Sequence, residues 1–418
     1  MMEIVEYPQE SMFMRLSERP SDIHNEILET VQRIIERVQE EGDQALVDLT
    51  QKFDSVSLAQ VKVPATALSQ AREQLSSELI SAIDTARENI EAFHSSQLRA
   101  EAKSEPRAGI VCWEQRQALD PVGLYIPAGS APLISSALML LIPARIAGCK
   151  QVVLCAPPDR SGVVHPAILF LAAMFDVTEV FSVGGAQAIA AMAFGTQSVP
   201  RVRKIFGPGN RYVTLAKQML SERGQVAIDM PAGPSELVAW CDEAANPRFL
   251  AADLLSQAEH GADSQVILVT ESLRIANAVQ AEVARQLETL PRKEIAKRSL
   301  EHSKILLLND VQASLRFVDV YGPEHLIIAR EDAEHVVREV RSAGSIFLGN
   351  FTPESAGDYA SGTNHVLPTA GYAKFTSGVS VDSFMKSTSV QRLTAEGLDS
   401  LRSTITTLAR AEGLEAHA

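Results

Sequence analysis

With 418 residues, the chain is long enough for two or more hydrophobic cores, and 52 acidic against 38 basic residues give it a formal charge of −14. No Lys/Arg block stands out and no apolar run reaches transmembrane length, so nucleic acid and membrane are not expected partners. Its cysteines, Cys112, Cys149, Cys155 and Cys241, form no Cys-x-x-Cys pair and Met1 to Pro8 lacks the basic and apolar regions of a signal peptide, which together predict a reduced cytoplasm.

The chain opens with a helical pattern. Between Ser21 and Phe53 the apolar residues Ile27, Leu28, Val31, Ile34, Ile35 and Val38 recur at three- and four-residue spacing. That predicts an amphipathic helix capped by Ser21 or Asp22 and halted near Gly42. A second helical stretch covers Ser69 to His94, a charged connector reaches Ala108, and Cys112 to Gln117 begins a strand-like region. From Pro121 the pattern alternates β and α. Apolar runs at Gln151–Cys155, Glu179–Val183, Lys204–Phe206 and Val226–Met230 form one series; Gln265–Thr270, Lys304–Leu308, His325–Ala329 and Ser345–Leu348 form another. Short strands alternating with helices imply an α/β fold whose parallel sheets are covered on both faces. The two sets of four suggest two incomplete Rossmann-like domains related by duplication. After Val381 the strand signal fades, and the tail reads as a helical arm with too few apolar residues for its own core.

The chemistry-bearing residues gather in the connections. Strand Ser345–Leu348 runs into Asn350 to His365, which has no hydrophobic period and offers the carboxylates of Glu354 and Asp358 and the imidazole of His365. Open α/β sheets bind ligands at such loops, beyond the carboxyl ends of strands. Gly184-Gly185 and Gly207-Pro-Gly209-Asn210 each fall between strand and helix, where backbone N–H groups can approach a phosphate. Neither completes Gly-x-Gly-x-x-Gly, and tight turns are the plainer explanation. Asp229, about 20 residues past Gly209, matches that fingerprint's acid only by coincidence. Gln257 and His260 share one face of a predicted helix. Both side chains can bind a divalent metal, but glutamine is an uncommon zinc ligand, and spacing alone favours an ordinary helix histidine. Tyr321-Gly-Pro-Glu-His325 sets an acid beside a base at the mouth of a strand. The pair suits stepwise proton transfer, and a merely polar strand end equally well.

Taken as a set, these stretches resemble one family. Tyr125–Pro132, Gly184–Ala190, Phe206–Arg211, Asp229–Ser235, Ser256–His260, Pro323–Leu326 and Glu354–His365 occur in order, over nearly the whole chain, with the residues of the L-histidinol dehydrogenases. Gly322 departs from the family's usual alanine. The resemblance implies oxidation of L-histidinol through L-histidinal to L-histidine, the last steps of histidine biosynthesis, with two NAD used in sequence. It implies one zinc per subunit, held by Gln257, His260, Asp358 and His417, with nitrogens of the substrate completing the coordination. Glu324 and His325 would be the acid/base pair, and Ser235, His365 and Glu412 further substrate contacts. Tyr125, Gln187 and Asn210 would contact NAD. An intertwined homodimer would bring Glu412 and His417 into the partner's site. The domains expected on this basis are an N-terminal helical segment (1–20), a discontinuous catalytic and zinc unit (21–120 with 236–380), an NAD unit (121–235) and the C-terminal arm (381–418). The alternative is a zinc- and NAD-dependent dehydrogenase of another small amino or sulfonated alcohol; the presence of Glu412 and His417 favours histidinol. Cys149 is by position the candidate for a thiohemiacetal, but its place between a helix end and an apolar strand predicts a buried structural thiol.

Overall fold

The computed structural model describes residues 2–20, 25–127, 133–231 and 233–418. In chain order the strands are β1 (Glu3–Glu6), β2 (Lys103–Arg107), β3 (Ile110–Ala118), β4 (Val122–Tyr125), β5 (Val152–Ala156), β6 (Glu179–Ser182) and β7 (Lys204–Phe206). They continue as β8 (Ala227–Ile228), β9 (Glu236–Cys241), β10 (Gln265–Thr270), β11 (Lys304–Leu307), β12 (His325–Ala329), β13 (Ser345–Leu348) and β14 (Met385–Leu393).

A first sheet has the order β6-β5-β4-β7-β8 and a second the order β1-β11-β10-β9-β12-β13. All pairings within both are parallel. Numbered within its own unit, each run of five strands reads 3-2-1-4-5, with β1 added at the edge of the second. Both sheets therefore reverse their strand order beside their first strand, between β4 and β7 and between β9 and β12. The expected strands are all present, and each unit gains one, β4 or β9. No helix separates β8 from β9, so the alternation of strand and helix did not announce the latter. Every residue of β9 and β10 is buried, as helices on both faces require.

The helices assign the N-terminal residues differently from expectation. Helices Asn25–Glu41 and Asp43–Asp54 pack on one face of the first sheet, and Ser77–Ser95 on the other. Residues 25–95 thus belong with the first sheet's unit, because their apolar stripes match its faces. Residues 2–20 are not separate either: β1 pairs with β11, and Phe13 and Leu16 enter the second sheet's core. The first helix breaks at Gly42, whose φ is +60°; its cap at Ser21 or Asp22 lies outside the described residues, as do 128–132 and 232 of two motifs. The second helical stretch divides into Ala65–Gln70 and Ser77–Ser95.

The tail needs a larger correction. It is strand then helix: β14 pairs antiparallel with β3 along its whole length, and helix Ala395–Ala411 follows. Most residues of β14 are exposed on both sides, so no apolar alternation marked it in sequence. The root of the tail is anchored: Val381 and Phe384 are buried in the first sheet's core, and the Phe384 ring stacks on Phe206 at 3.9 Å between centroids. No helix of the described residues is long and apolar enough to cross a membrane.

Candidate active site

β12 begins at His325, level with Leu237 of β9 and Ser345 of β13. The site grows at this amino edge of the second sheet, not at the carboxyl edge expected for it. A short helix, Glu354–Tyr359, carries the Asn350–His365 stretch there. It passes so close over Phe347 that a Cβ on Gly357 would lie 2.5 Å from that ring. Glu354 and Asp358, one turn apart, then both face His325.

His325 Nδ1 lies 3.7 Å from Glu324 Oε2 and 3.7 Å from Glu354 Oε1, and Nε2 lies 3.5 Å from Asp358 Oδ1. Nδ1 is 3.1 Å from the Glu236 carbonyl, while the Glu236 N–H donates to Glu324 Oε2 at 2.9 Å. One backbone residue thus holds both members of the expected acid/base pair. Donation from Nδ1–H to that carbonyl fixes the tautomer and leaves Nε2 as the basic nitrogen; Nε2 has no hydrogen bond.

Burial pushes the Glu324 carboxyl up to about 8, against the opposing pull of His325. Burial alone would lower His325, but Glu324, Glu354 and Asp358 outweigh it and hold the imidazole at about 10. Burial likewise raises Glu354 to about 8. Asp358 ends below its usual range: burial works to raise it, and His325, then His365 and His260, outweigh that. Strong shifts with specific charge partners are the mark of a functional site.

His325, Glu354 and Asp358 each offer a ligand atom within 4.8 Å of the others. On the facing helix, Pro247–Ala258, the Ser256 hydroxyl donates to Glu354 Oε2 at 3.0 Å. The next residue, Gln257, is fully buried with neither amide atom hydrogen-bonded, and Glu354 Oε1, though 3.7 Å from His325 Nδ1, has no hydrogen bond either. Buried polar atoms rarely go unpaired. An amide, imidazoles and carboxylates converging there fit a divalent cation such as zinc. Of the four expected ligands, Gln257 and Asp358 lie here, and His260 is close enough to Asp358 for their charges to interact. His260 stands in the turn beyond the helix end and is exposed. His417 and Glu412 are exposed on the tail and do not join this cluster within the chain. Gln257→Leu is expected to stabilise the metal-free protein by about 1–3 kcal/mol, since an unsatisfied buried amide disappears. It should also cancel the rise in Tm that zinc gives the unaltered chain. Thermal melts with and without zinc check both, and an undiminished zinc shift would count against Gln257 as a ligand.

Ser235 is half-buried immediately before β9. The His365 ring spans the two units, with Nδ1 2.8 Å from the Asp358 carbonyl and Nε2 3.0 Å from the Ser136 hydroxyl on helix Ile134–Ala147.

The three expected NAD residues meet at the first sheet's carboxyl edge. Tyr125, Gln187 and Asn210 line a cavity of about 800 Å³, together with Phe53, Asp54 and Arg160. Tyr125 ends β4, and its hydroxyl accepts from the Gly185 N–H at 3.1 Å. Asn210 caps helix Arg211–Glu222, its Oδ1 accepting from the N–H groups of Tyr212 and Val213 at 3.1 and 3.2 Å. Gly207, at φ +126°, is pressed against β4 so tightly that a Cβ would sit 2.1 Å from the Tyr125 carbonyl oxygen; only glycine fits. This is the switch point, where such sheets open a crevice. Asp229 does not face a ribose: it is buried in an ion pair with Lys217 and accepts the Gly207 N–H at 2.8 Å. The equivalent edge of the second sheet carries an ion-paired cluster. Arg330, just past β12, lies 5.0 Å over the Trp240 ring and pairs with Glu271 at 2.6 Å and Asp332 at 2.8 Å.

Sequence reasoning placed the Glu354 carboxylate in the candidate loop without giving it a role, although its four-residue spacing from Asp358 was a signal. Glu236 acts through backbone atoms, and Ser136 is an ordinary helix residue; neither left one. Cys149 is remote from this chemistry. Its thiol lies 4.0 Å from the Phe384 carbonyl, and burial, reinforced by Asp120, pushes it up to about 12.

Comparisons with known proteins agree in one direction. A family model described as histidinol dehydrogenase matches residues 17–418. The histidinol dehydrogenase of Bacteroides thetaiotaomicron is 51% identical over 417 residues, covering 100% of this chain and 97% of that protein. That of Xylella fastidiosa is 51% identical over 401 residues, covering 96% and 93%. The crystal structure of histidinol dehydrogenase from Elizabethkingia anophelis has a TM-score of 0.97 at 47% identity, over 100% of this chain and 96% of that one.

Proposed function

The chain belongs to the histidinol dehydrogenase family, and from that premise we propose that it oxidises L-histidinol through L-histidinal to L-histidine. It does so as a cytoplasmic homodimer with one zinc per subunit and two NAD reduced in sequence, at the end of histidine biosynthesis. What supports this reading most is the acid/base pair suspended from one backbone residue, Glu324 on the N–H of Glu236 and His325 on its carbonyl.

Gln257, His260 and Asp358 would hold the zinc together with His417 of a second copy, where it would supply a Lewis-acid site selective for an amino alcohol. Tyr125, Gln187 and Asn210 would hold NAD in their cavity, where it would supply the hydride acceptor for each oxidation. In the metal-free chain the surrounding carboxylates hold the His325 ring at about 10 and so protonated; a bound divalent cation would offset them, and His325 Nε2 would then take the hydroxyl proton in the first oxidation. The aldehyde must then be hydrated, because a second hydride can leave only from a tetrahedral carbon bearing C–H. Glu324 activates that water, and His325 serves as base again. Ser235, His365 and Glu412 of the second copy complete the grip on the substrate.

The test is stoichiometry. Purified protein given limiting L-histidinol and excess NAD is expected to form two NADH per histidinol, with histidine as product. One NADH with accumulated aldehyde would overturn the four-electron reading. Turnover of a different amino or sulfonated alcohol, with none of histidinol, would overturn the substrate.

A further inference from the structure

Glu236 supplies the backbone atoms that hold the reactive pair, and its own side chain is fixed by a residue more than two hundred positions away. The carboxylate is buried and takes a two-pronged contact from Arg19, Nε to Oε1 at 2.6 Å and Nη2 to Oε2 at 2.8 Å. It also accepts the Ala370 N–H at 2.5 Å. The same guanidinium reaches the turn that delivers the pair. Nη2 donates to the Tyr321 carbonyl at 2.8 Å, and the group lies 3.9 Å from the centre of the Tyr321 ring. The Tyr321 hydroxyl is in turn held by Gln265 Oε1 at 2.8 Å.

We propose that Arg19 and Glu236 are positioning residues for Glu324 and His325; this rests on reading those two as acid and base. The guanidinium ties together the start of β9, which carries the N–H and carbonyl contacts, and the Tyr321–Gly322 turn, from which Glu324 and His325 follow. A planar fork can hold a carboxylate and a carbonyl at fixed angles, which an ammonium cannot. A buried ion pair contributes little net stability, so its use here is geometric: it sets where the strand start lies relative to the turn. With that relation fixed, Nδ1–H stays on the Glu236 carbonyl and Nε2 stays aimed at the substrate.

The test uses the full-length, zinc-loaded protein with Arg19→Ala, Arg19→Lys and the double change Arg19→Ala with Glu236→Gln. The double variant removes the carboxylate charge along with its partner and so separates lost positioning from an unpaired buried charge. Displacing a reacting group by about 1 Å can cost on the order of 10²-fold, and a kcat loss of that order is expected for Arg19→Ala and the double variant in both oxidations. Arg19→Lys should lose less. KM for histidinol and zinc content should be unchanged, which separates this role from substrate or metal binding. Amide hydrogen exchange should rise in residues 322–328 and 235–237 and not in β5 to β7. That readout needs no substrate, so it still tests the positioning if histidinol proves to be the wrong one. Should Arg19→Ala fail to fold, the other two variants decide. Unaltered kcat and exchange in folded Arg19→Lys and the double variant would overturn the proposal, as would a loss expressed wholly in KM.

Discussion

Replacing His325 by Asn is expected to slow both oxidation steps by roughly 10²–10⁴-fold, whereas Glu324→Gln should slow aldehyde oxidation far more than alcohol oxidation. An Asn amide can still donate to the Glu236 carbonyl, so the strand edge should keep its shape. What disappears is Nε2, the one polar atom of the ring without a hydrogen bond, and with it the acceptor for the proton released in each oxidation. Glu324 differs. Its Oε2 is held by the Glu236 N–H at 2.9 Å, which a Gln amide oxygen can also accept, so the substitution removes basicity with little change of shape. Only the step that activates water then suffers. Separate measurements starting from histidinol and from histidinal check this, and equal losses in both for Glu324→Gln would refute the division of labour.

Mixing two inactive variants, His325→Ala and His417→Ala, is expected to restore roughly a quarter of the unaltered activity, as twofold symmetry with sites built across it requires. Helix Ala395–Ala411 buries only Gly397 and Ala409, while Leu398, Ile405, Leu408 and Leu414 are exposed. Such a face is unfinished in a single chain. In each variant homodimer both sites carry one lesion. In the heterodimer one site collects both lesions and the other none. Random pairing makes half the dimers heterodimers, each with one intact site. Co-expression or joint refolding, with heterodimers confirmed by tags, provides the measurement. An inactive mixture would mean that the tail serves its own chain.

The parts of the fold legible in sequence were those with a buried apolar signal. Runs such as Gln265–Thr270 admit little besides a covered strand, and the helical stripe from Ile27 to Val38 fixed a helix though not the sheet it covers. β14 was hidden because Lys386, Ser387, Thr388 and Ser389 are all exposed. At the site, short motifs carried Glu324, His325, Asp358 and the cavity residues. Edge placement was misjudged because a strand's residues do not reveal which end a later helix folds back to cover. Arg19 was invisible for a related reason: its partner, Glu236, is distant in sequence, and a lone arginine before a proline resembles any surface charge.

The ion-paired cluster of Arg330, Glu271 and Asp332 over Trp240 bears on timing. The second sheet repeats the strand order of the first, yet the corresponding edge carries ion-paired side chains of its own. With that cluster in place, the proposed reaction would use the cavity at Tyr125 for both nucleotides. In the proposed sequence the first reduced nucleotide must leave the cavity at Tyr125 before a second oxidised one enters, while the aldehyde stays behind. The residence time of the aldehyde has to exceed that exchange. His365, bonded at once to the Asp358 carbonyl and to Ser136 of the first sheet's unit, joins the two units where that delay would have to be kept.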